Sequence, residues 1–340
     1  MKGVKGVMMK AKAVIFRDRL GVAYCDVTVP EPCPGDVVVQ TRYSWISNGT
    51  EGSFLRGERA NGETPYCPGG PWPFPIAAGY QSTGVVMHVG RDVDNVRPGQ
   101  WVFCTLGRIE GMYESWGGHV SPKIVDRSQI WPVPEGVSPE AVSGLVLTQV
   151  GYNCGMRAPV GADDTVLVIG DGMVGHWAAQ TLHWRGATVI LAGKHDERLA
   201  FFPEDERRFR VNVRSQDLVS MVRALAPAGI AVLVDTVGSI PAIMACHPLM
   251  RYNGHIVSAG YNGKDSMLDI QKLRFGELTL HSPSGWQKDR MDETLALVAQ
   301  GVLRTEPLIT HRFPVERAAE AWKLILERTE TVLGVILTWM

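Results

Sequence analysis

Apolar and polar residues fall in short runs, cut by Pro and Gly, from the start of the chain to about residue 139. Lys12–Phe16, Asp36–Thr41, Gly84–Val89 and Gln100–Cys104 each read as a strand, closed by turns such as Pro34-Gly35 and Pro98-Gly99. Strands at this spacing with no helix between them predict a compact, antiparallel, barrel-like unit. The pattern then changes. Pro139–Arg157 reads as helical, although its three glycines weaken that reading. From Thr165 to about Ser282, apolar strand-like runs (TVLVIG, ATVILAG, AVLVDTV, GHIVSAG, ELTLHS) alternate with helical ones. That alternation predicts a parallel sheet with crossover helices. Two amphipathic helices, Met291–Gln300 and Val315–Leu326, and a strand, Val332–Leu337, follow. There is no repeat and no low-complexity stretch.

Length and composition set bounds on this picture. At about 150 residues per domain, 340 residues predict two domains. A chain 45% hydrophobic and 20% charged is an ordinary folded composition, which excludes disorder. Its 34 basic and 35 acidic residues leave a net charge of −1 with no charged block, so neither a nucleic acid nor an acidic membrane is an expected partner. No run approaches the roughly 20 apolar residues of a membrane span. The first residues are basic and interrupted by Gly and Lys, unlike a signal peptide. The expected location is cytoplasmic. Six cysteines, at 25, 33, 67, 104, 154 and 246, form no CxxC, and fit neither a zinc ribbon nor a disulfide framework.

The strand pattern Thr165–Ile169 runs directly into Gly170-Asp171-Gly172-Met173-Val174-Gly175, and a helical stretch follows. A GxGxxG between strand and helix predicts a dinucleotide site. Gly170 permits the turn, Gly172 lets a pyrophosphate approach backbone N–H groups, and Gly175 lets helix and strand pack closely. The helix start attracts the phosphate charge. Thr236, Val237, Gly260 and Tyr261, after the later strands, complete the candidate cofactor set with Met173 and Val174. The strand Ala187–Ala192 bears on which dinucleotide is taken. An NAD site places Asp or Glu at its end to accept from the ribose 2′-OH; here the position falls on Gly193, followed by Lys194, His195 and, further on, Arg198. Glycine makes room for a 2′-phosphate and the basic groups attract it, so NADP(H) is the expected cofactor. A solvated loop is the other reading, kept open by Asp196 and Glu197.

The chain resembles the medium-chain dehydrogenase/reductase superfamily over nearly its whole length. The matching landmarks are FPIAAGYQSTGVVMHVG (74–90), VRPGQWVF (96–103), WGGHV (116–120), the VLVIGDGMVG fingerprint, VDTVG (234–238) and RAAEAW (317–322). The resemblance implies an α/β chain: a GroES-like β-barrel catalytic domain over 1–145, completed by 290–340, and a doubly wound Rossmann domain over 146–289. It also implies a homodimer that pairs the Rossmann sheets. Zinc members of the family resemble GxCGTDxH at the first ligand, where this chain has Ser44-Trp-Ile-Ser-Asn-Gly-Thr-Glu51, so the cysteine falls on Ser47 or Asn48. The histidine of their GHE motif falls on Tyr80 in Gly79-Tyr80-Gln81. The third ligand falls within 143–148, SGLVLT, which offers no soft donor or carboxylate, and the four-cysteine structural lobe is reduced to Cys104. Neither zinc site can be assembled, so no metal is expected. ISNGTE with GYQ most resembles the zinc-less branch that includes the 3-hydroxyethyl bacteriochlorophyllide dehydrogenases.

Without a Lewis acid, hydrogen-bond donors and an acid/base must handle the alcohol oxygen. Tyr80 is the first candidate, and Thr50, aligned by the resemblance with a proton-relaying hydroxyl, is the second. Ser47 is a donor to the oxyanion, and Glu51 ranks below these. Tyr80 also has a plainer reading as a packed tyrosine, Thr50 as a turn residue and His119 as structural. Ten tryptophans, with Trp45, Trp72 and Trp286 in segments expected near the cleft, suit a ring-shaped or bulky small-molecule substrate of sugar, cyclitol or hydroxyethyl type. The leading expectation is a zinc-independent NADP(H)-dependent alcohol dehydrogenase or ketone reductase. Reduction of a quinone or enone C=C bond is the alternative, and a non-catalytic cofactor-binding protein the third.

Overall fold

In the computed structural model, residues 8–58, 74–262 and 267–340 are described. Trp72, Cys67 and most of the proline-rich stretch 62–75 lie outside them. The chain divides into two units, Met1–Leu145 with Ile309–Met340, and Val146–Leu308.

The first unit is built from short strands: β1 (Met8–Asp18), β2 (Gly21–Pro30), β3 (Asp36–Trp45), β4 (Ile76–Ala77), β5 (Ser82–Val89), β6 (Trp101–Cys104), β7 (Gly107–Arg108), β8 (Trp116–Gly117), β9 (Val120–Ser121), β10 (Lys123–Asp126) and β11 (Ile130–Pro132), with the short helix α1 (Thr50–Leu55) after β3. β1 extends beyond the expected Lys12–Phe16 because β2 pairs with it antiparallel from Met8 to Asp18. Lys123, on β10, is fully buried. Its ammonium donates to Ser82 Oγ at 2.6 Å and to the Thr105 carbonyl at 2.8 Å, which offsets part of the cost of burying it.

The second unit holds α2 (Leu145–Met156), β12 (Thr165–Ile169), α3 (Met173–Trp184), β13 (Thr188–Gly193), α4 (Asp196–Leu199), β14 (Arg208–Asn212), α5 (Leu218–Leu225), β15 (Ile230–Asp235), α6 (Ile240–Cys246), β16 (Met250–Ser258), α7 (Ile270–Arg274), β17 (Thr279–His281) and α8 (Lys288–Ala299). The six strands are parallel, in the order β14-β13-β12-β15-β16-β17. Both faces are covered, so the strands read as continuous apolar runs. Val166 and Val168 face the core that α3 closes with Ala178, Ala179 and Leu182. Leu167 and Ile169 face the opposite core, with Val222 of α5 and Ile243 of α6. The strand order reverses between β12 and β15, and the carboxyl ends at such a reversal are where ligands bind in open α/β sheets.

After the second unit come β18 (Ile309–Pro314), α9 (Ala318–Glu327) and β19 (Gly334–Thr338). The main sheet of the first unit runs β11-β6-β5-β3-β19-β18, so β19 lies inside it, antiparallel to β3 and parallel to β18. α9 sets Ala318, Ala321, Trp322 and Ile325 into the core with Val14 and Phe16, and Trp322 meets Phe16 edge-on at 5.5 Å. The return to the first unit comes at Ile309 rather than at 290. α8 stays with the second unit because Leu297 packs on Tyr152 and Leu303, and Glu293 accepts from the Tyr152 hydroxyl at 2.6 Å.

Candidate functional site

In the second unit, Gly170 takes φ +123°, and its N–H is held by the Ala192 carbonyl at 2.8 Å. Thr236 closes the loop from the other side, its hydroxyl donating to the Ile169 carbonyl at 2.9 Å. A Cβ on Gly175 would lie 1.9 Å from the Gly170 carbonyl oxygen, so this is the close helix–strand approach that the third glycine is expected to serve. Gly172 caps α3 and has open space where its Cβ would be. The first N–H groups of α3, those of Met173, Val174 and Gly175, precede the first bond of the helix, His176 N to the Gly172 carbonyl, as the opening donors of any helix do. Asp235, fully buried, accepts from the N–H groups of Val237, Gly238 and Ser239, which fixes the turn after β15. A Cβ on Gly260 would lie 1.8 Å from Gly238 N, which brings the Gly260–Tyr261 segment against that turn. Val237 and Tyr261 are both exposed. The glycine loop, Thr236, Val237, Gly260 and Tyr261 thus gather at the carboxyl end of the sheet.

The group after β13 departs from expectation. The room left by Gly193 is filled: a Cβ there would lie 2.5 Å from Asp171 Oδ2 and 2.7 Å from its carboxyl carbon. That Oδ2 accepts from Lys194 N at 2.7 Å and from both His195 N and His195 Nδ1 at 2.9 Å. Arg198 lies 3.6 Å from Oδ1. Burial works to raise the Asp171 pKa, but the bonds from Lys194 and His195 outweigh it and hold the carboxyl below its ordinary value. The argument for NADP(H) therefore loses its steric half. Two of the basic groups expected to attract a 2′-phosphate, His195 and Arg198, already face a carboxylate, while Lys194 is exposed.

In the first unit, Ser44 of β3 pairs with Ser82 of β5, so the chain leaves β3 and enters β5 at one end of the sheet. This register brings Ser47, Thr50 and Glu51 to the end where Tyr80 and Gln81 lie. The Asn48 amide donates to the Leu333 carbonyl at 2.7 Å, and Ile46 N to Val335 at 2.9 Å, which anchors the segment on the β19 side. Ser47 and Glu51 are buried; Thr50 and Tyr80 are half-buried. Glu51 Oε1 accepts from Ser47 N at 2.8 Å, and Oε2 is bonded to His119 Nε2 at 3.0 Å. The imidazole lies over Gly79, which has φ +76°: a Cβ there would sit 2.4 Å from the ring. Glu51 is thus committed to joining the Ser47–Thr50 turn to the Gly79-Tyr80-Gln81 turn through His119. Trp45, expected near a cleft, is fully buried, and a Cβ on Gly144 would meet it at 2.7 Å.

These residues do not fit a zinc ion. The three family ligand positions hold hydroxyls, a phenol, an amide and aliphatic groups, and the nearest imidazole and carboxylate are buried against each other. Among the described residues, no three His, Cys, Asp or Glu side chains gather into a metal-binding group.

A model of the zinc-binding dehydrogenase family matches residues 173–300, a stretch inside the second unit that includes none of the positions 47, 80 or 143–148. Among curated relatives, D-arabitol-phosphate dehydrogenase of Enterococcus avium is 24% identical, covering 97% of this chain and 96% of its own length. The 2-desacetyl-2-hydroxyethyl bacteriochlorophyllide A dehydrogenase of Rhodobacter capsulatus is 27% identical, over 97% of this chain and 99% of its own. Among solved structures, an alcohol dehydrogenase of Thermus sp. ATN1 has the same fold, with a TM-score of 0.80 at 21% identity, over 97% of this chain and 100% of its own. The glycine loop at the reversal of a six-stranded parallel sheet and the split first unit go with these likenesses: over nearly its whole length the chain is similar to alcohol and polyol dehydrogenases of the medium-chain dehydrogenase/reductase superfamily.

Proposed function

We propose that the protein interconverts a secondary alcohol and a ketone on a ring-shaped or bulky small molecule, without zinc, using a nicotinamide dinucleotide as the hydride carrier. The observation that carries this reading is the make-up of the first-unit site. Tyr80, Thr50 and Ser47 lie at one sheet end where the zinc members hold a metal, and Glu51 and His119 lock the two turns that carry them. The bound dinucleotide supplies or removes the hydride; the side chains handle the proton. Tyr80 donates to the ketone oxygen, or accepts from the alcohol, and Thr50 passes the proton onward. Ser47 adds a hydrogen bond to the developing oxyanion. The two relatives named above act, by their names, on a polyol phosphate and a hydroxyethyl-bearing macrocycle, which supports a substrate of this class.

The test is Tyr80→Phe, assayed with paired ketone and enone substrates. The expected result is a kcat about 100- to 1,000-fold lower with the dinucleotide dissociation constant unchanged, the scale of a lost general acid/base. A wild-type product with a saturated C–C bond and an intact carbonyl would replace this reading with enone reduction.

Self-association belongs to the same proposal. α7 and the edge strand β17 expose Ile270, Phe275 (87% exposed) and Leu280. An open strand edge beside apolar side chains is suited to pairing with a second copy. Light scattering is expected to give a dimer for the native chain and a monomer for Phe275→Glu/Leu280→Lys.

A further inference from the structure

We propose that Asp171, carried on the glycine loop, reads the adenosine ribose in place of the absent strand-end acid and makes the site prefer NAD(H) over NADP(H). This rests on the reading that the second unit binds a nicotinamide dinucleotide.

In a dinucleotide-binding βαβ unit, the acid that accepts from the ribose 2′-OH stands at the end of the second strand, here β13. That strand ends on Gly193, yet a carboxylate occupies the position. A Cβ built on Gly193 falls 2.4 Å from Asp171 Cβ and 2.5 Å from Asp171 Oδ2, which is inside the reach of a residue-193 side chain. The carboxylate comes instead from the residue between the first two glycines of the loop. Its placement is fixed by bonds rather than by chance packing: three N–H donors from Lys194 and His195 converge on Oδ2. Oδ1 faces Arg198 Nη1 at 3.6 Å, longer than a hydrogen bond, and keeps acceptor capacity for a hydroxyl.

The charges around this position are Lys194, His195 and Arg198 on one side and Asp171, Asp196 and Glu197 on the other. The ionised Asp171 is the one that stands where the second strand ends. A ribose hydroxyl can donate to it; a 2′-phosphate, with two negative charges and no donor, is repelled by it.

Dissociation constants for NADH and NADPH, measured by titration calorimetry, test this. The native protein is expected to bind NADH at least about ten-fold tighter. Asp171→Asn is expected to shift the ratio at least about ten-fold towards NADPH. The double variant Asp171→Gly/Gly193→Asp returns the carboxylate by the ordinary route and is expected to recover the NADH preference. Glycine is required at 171, because the native Cβ lies 2.4 Å from the new one. A native preference for NADPH, an unchanged ratio in Asp171→Asn, or a folded double variant without NADH preference would each overturn the proposal. Binding of neither dinucleotide by the native protein would overturn it together with the proposed function; the other failures leave that function standing.

Discussion

Glu51→Ala is expected to destabilise the first unit by about 3–5 kcal/mol, the scale for removing one partner of a buried, hydrogen-bonded pair. The carboxylate, 2% exposed, serves two donors on residues that are themselves buried. Ser47 N–H and the His119 ring would both be left unpaired, and each such group costs about 1–3 kcal/mol. His119 cannot move away to compensate. Its backbone is fixed by Val14 N–H and the Ala78 carbonyl, and its ring is wedged between Gly79 and the edge of Trp322 at 5.4 Å. At about 2–4 °C per kcal/mol for a unit of this size, the first thermal transition should fall by roughly 10 °C in calorimetry. Glu51→Gln keeps the shape and one acceptor and should cost less than half as much. A double-mutant cycle with His119→Ala should return a coupling of about 1.5–3 kcal/mol. A loss below about 1 kcal/mol for Glu51→Ala would show that the two turns are held by something else.

Gly175→Ala is expected to weaken binding of either dinucleotide by at least about 100-fold. A Cβ has no rotamer with which to avoid a backbone atom, and the oxygen it meets, Gly170 O, is 1.9 Å away. α3 would have to lift from β12, carrying with it the loop that Gly170 N–H and the Thr236 hydroxyl pin in place. Overpacking of this kind costs about 1–3 kcal/mol in stability. Gly172→Ala provides the contrast. Its Cβ meets nothing within 4 Å, so the melting temperature should hold while affinity falls, because the space it enters is where a pyrophosphate approaches. Fluorescence titration alongside calorimetry separates the two effects.

The glycine loop was legible because strand, loop and helix are contiguous: β12 spans Thr165–Ile169 as the pattern placed it, while α3 begins earlier than the sequence suggested, at Met173 inside the glycine motif. Strand β2 was not, since its residues are half-buried and mixed in character and take their structure from pairing with β1. The Glu51–His119 bond spans 68 residues and the Asp171–His195 bond 24; no periodicity reports such pairs. Glu51 therefore read as a minor catalytic candidate, and Asp171 drew no role. The steric premise drawn from Gly193 missed the occupied space for the same reason. It treated an absent side chain as empty space, when a residue from another loop fills it. Lys123 gave no sign either, because a strand lysine reads as solvent-facing until the Ser82 and Thr105 acceptors come together around it.

The position of β19 inside the first unit's sheet orders events during synthesis. Every residue of the second unit is made before Ile309, so its parallel sheet can close while the chain is still on the ribosome. The unit translated first is the one that waits: until residues 334–338 emerge, β3 presents a bare edge on the side where β19 and β18 belong. The nascent protein is therefore most exposed to mispairing after its later unit has already folded, and a chaperone that shields that edge would act late in translation rather than early.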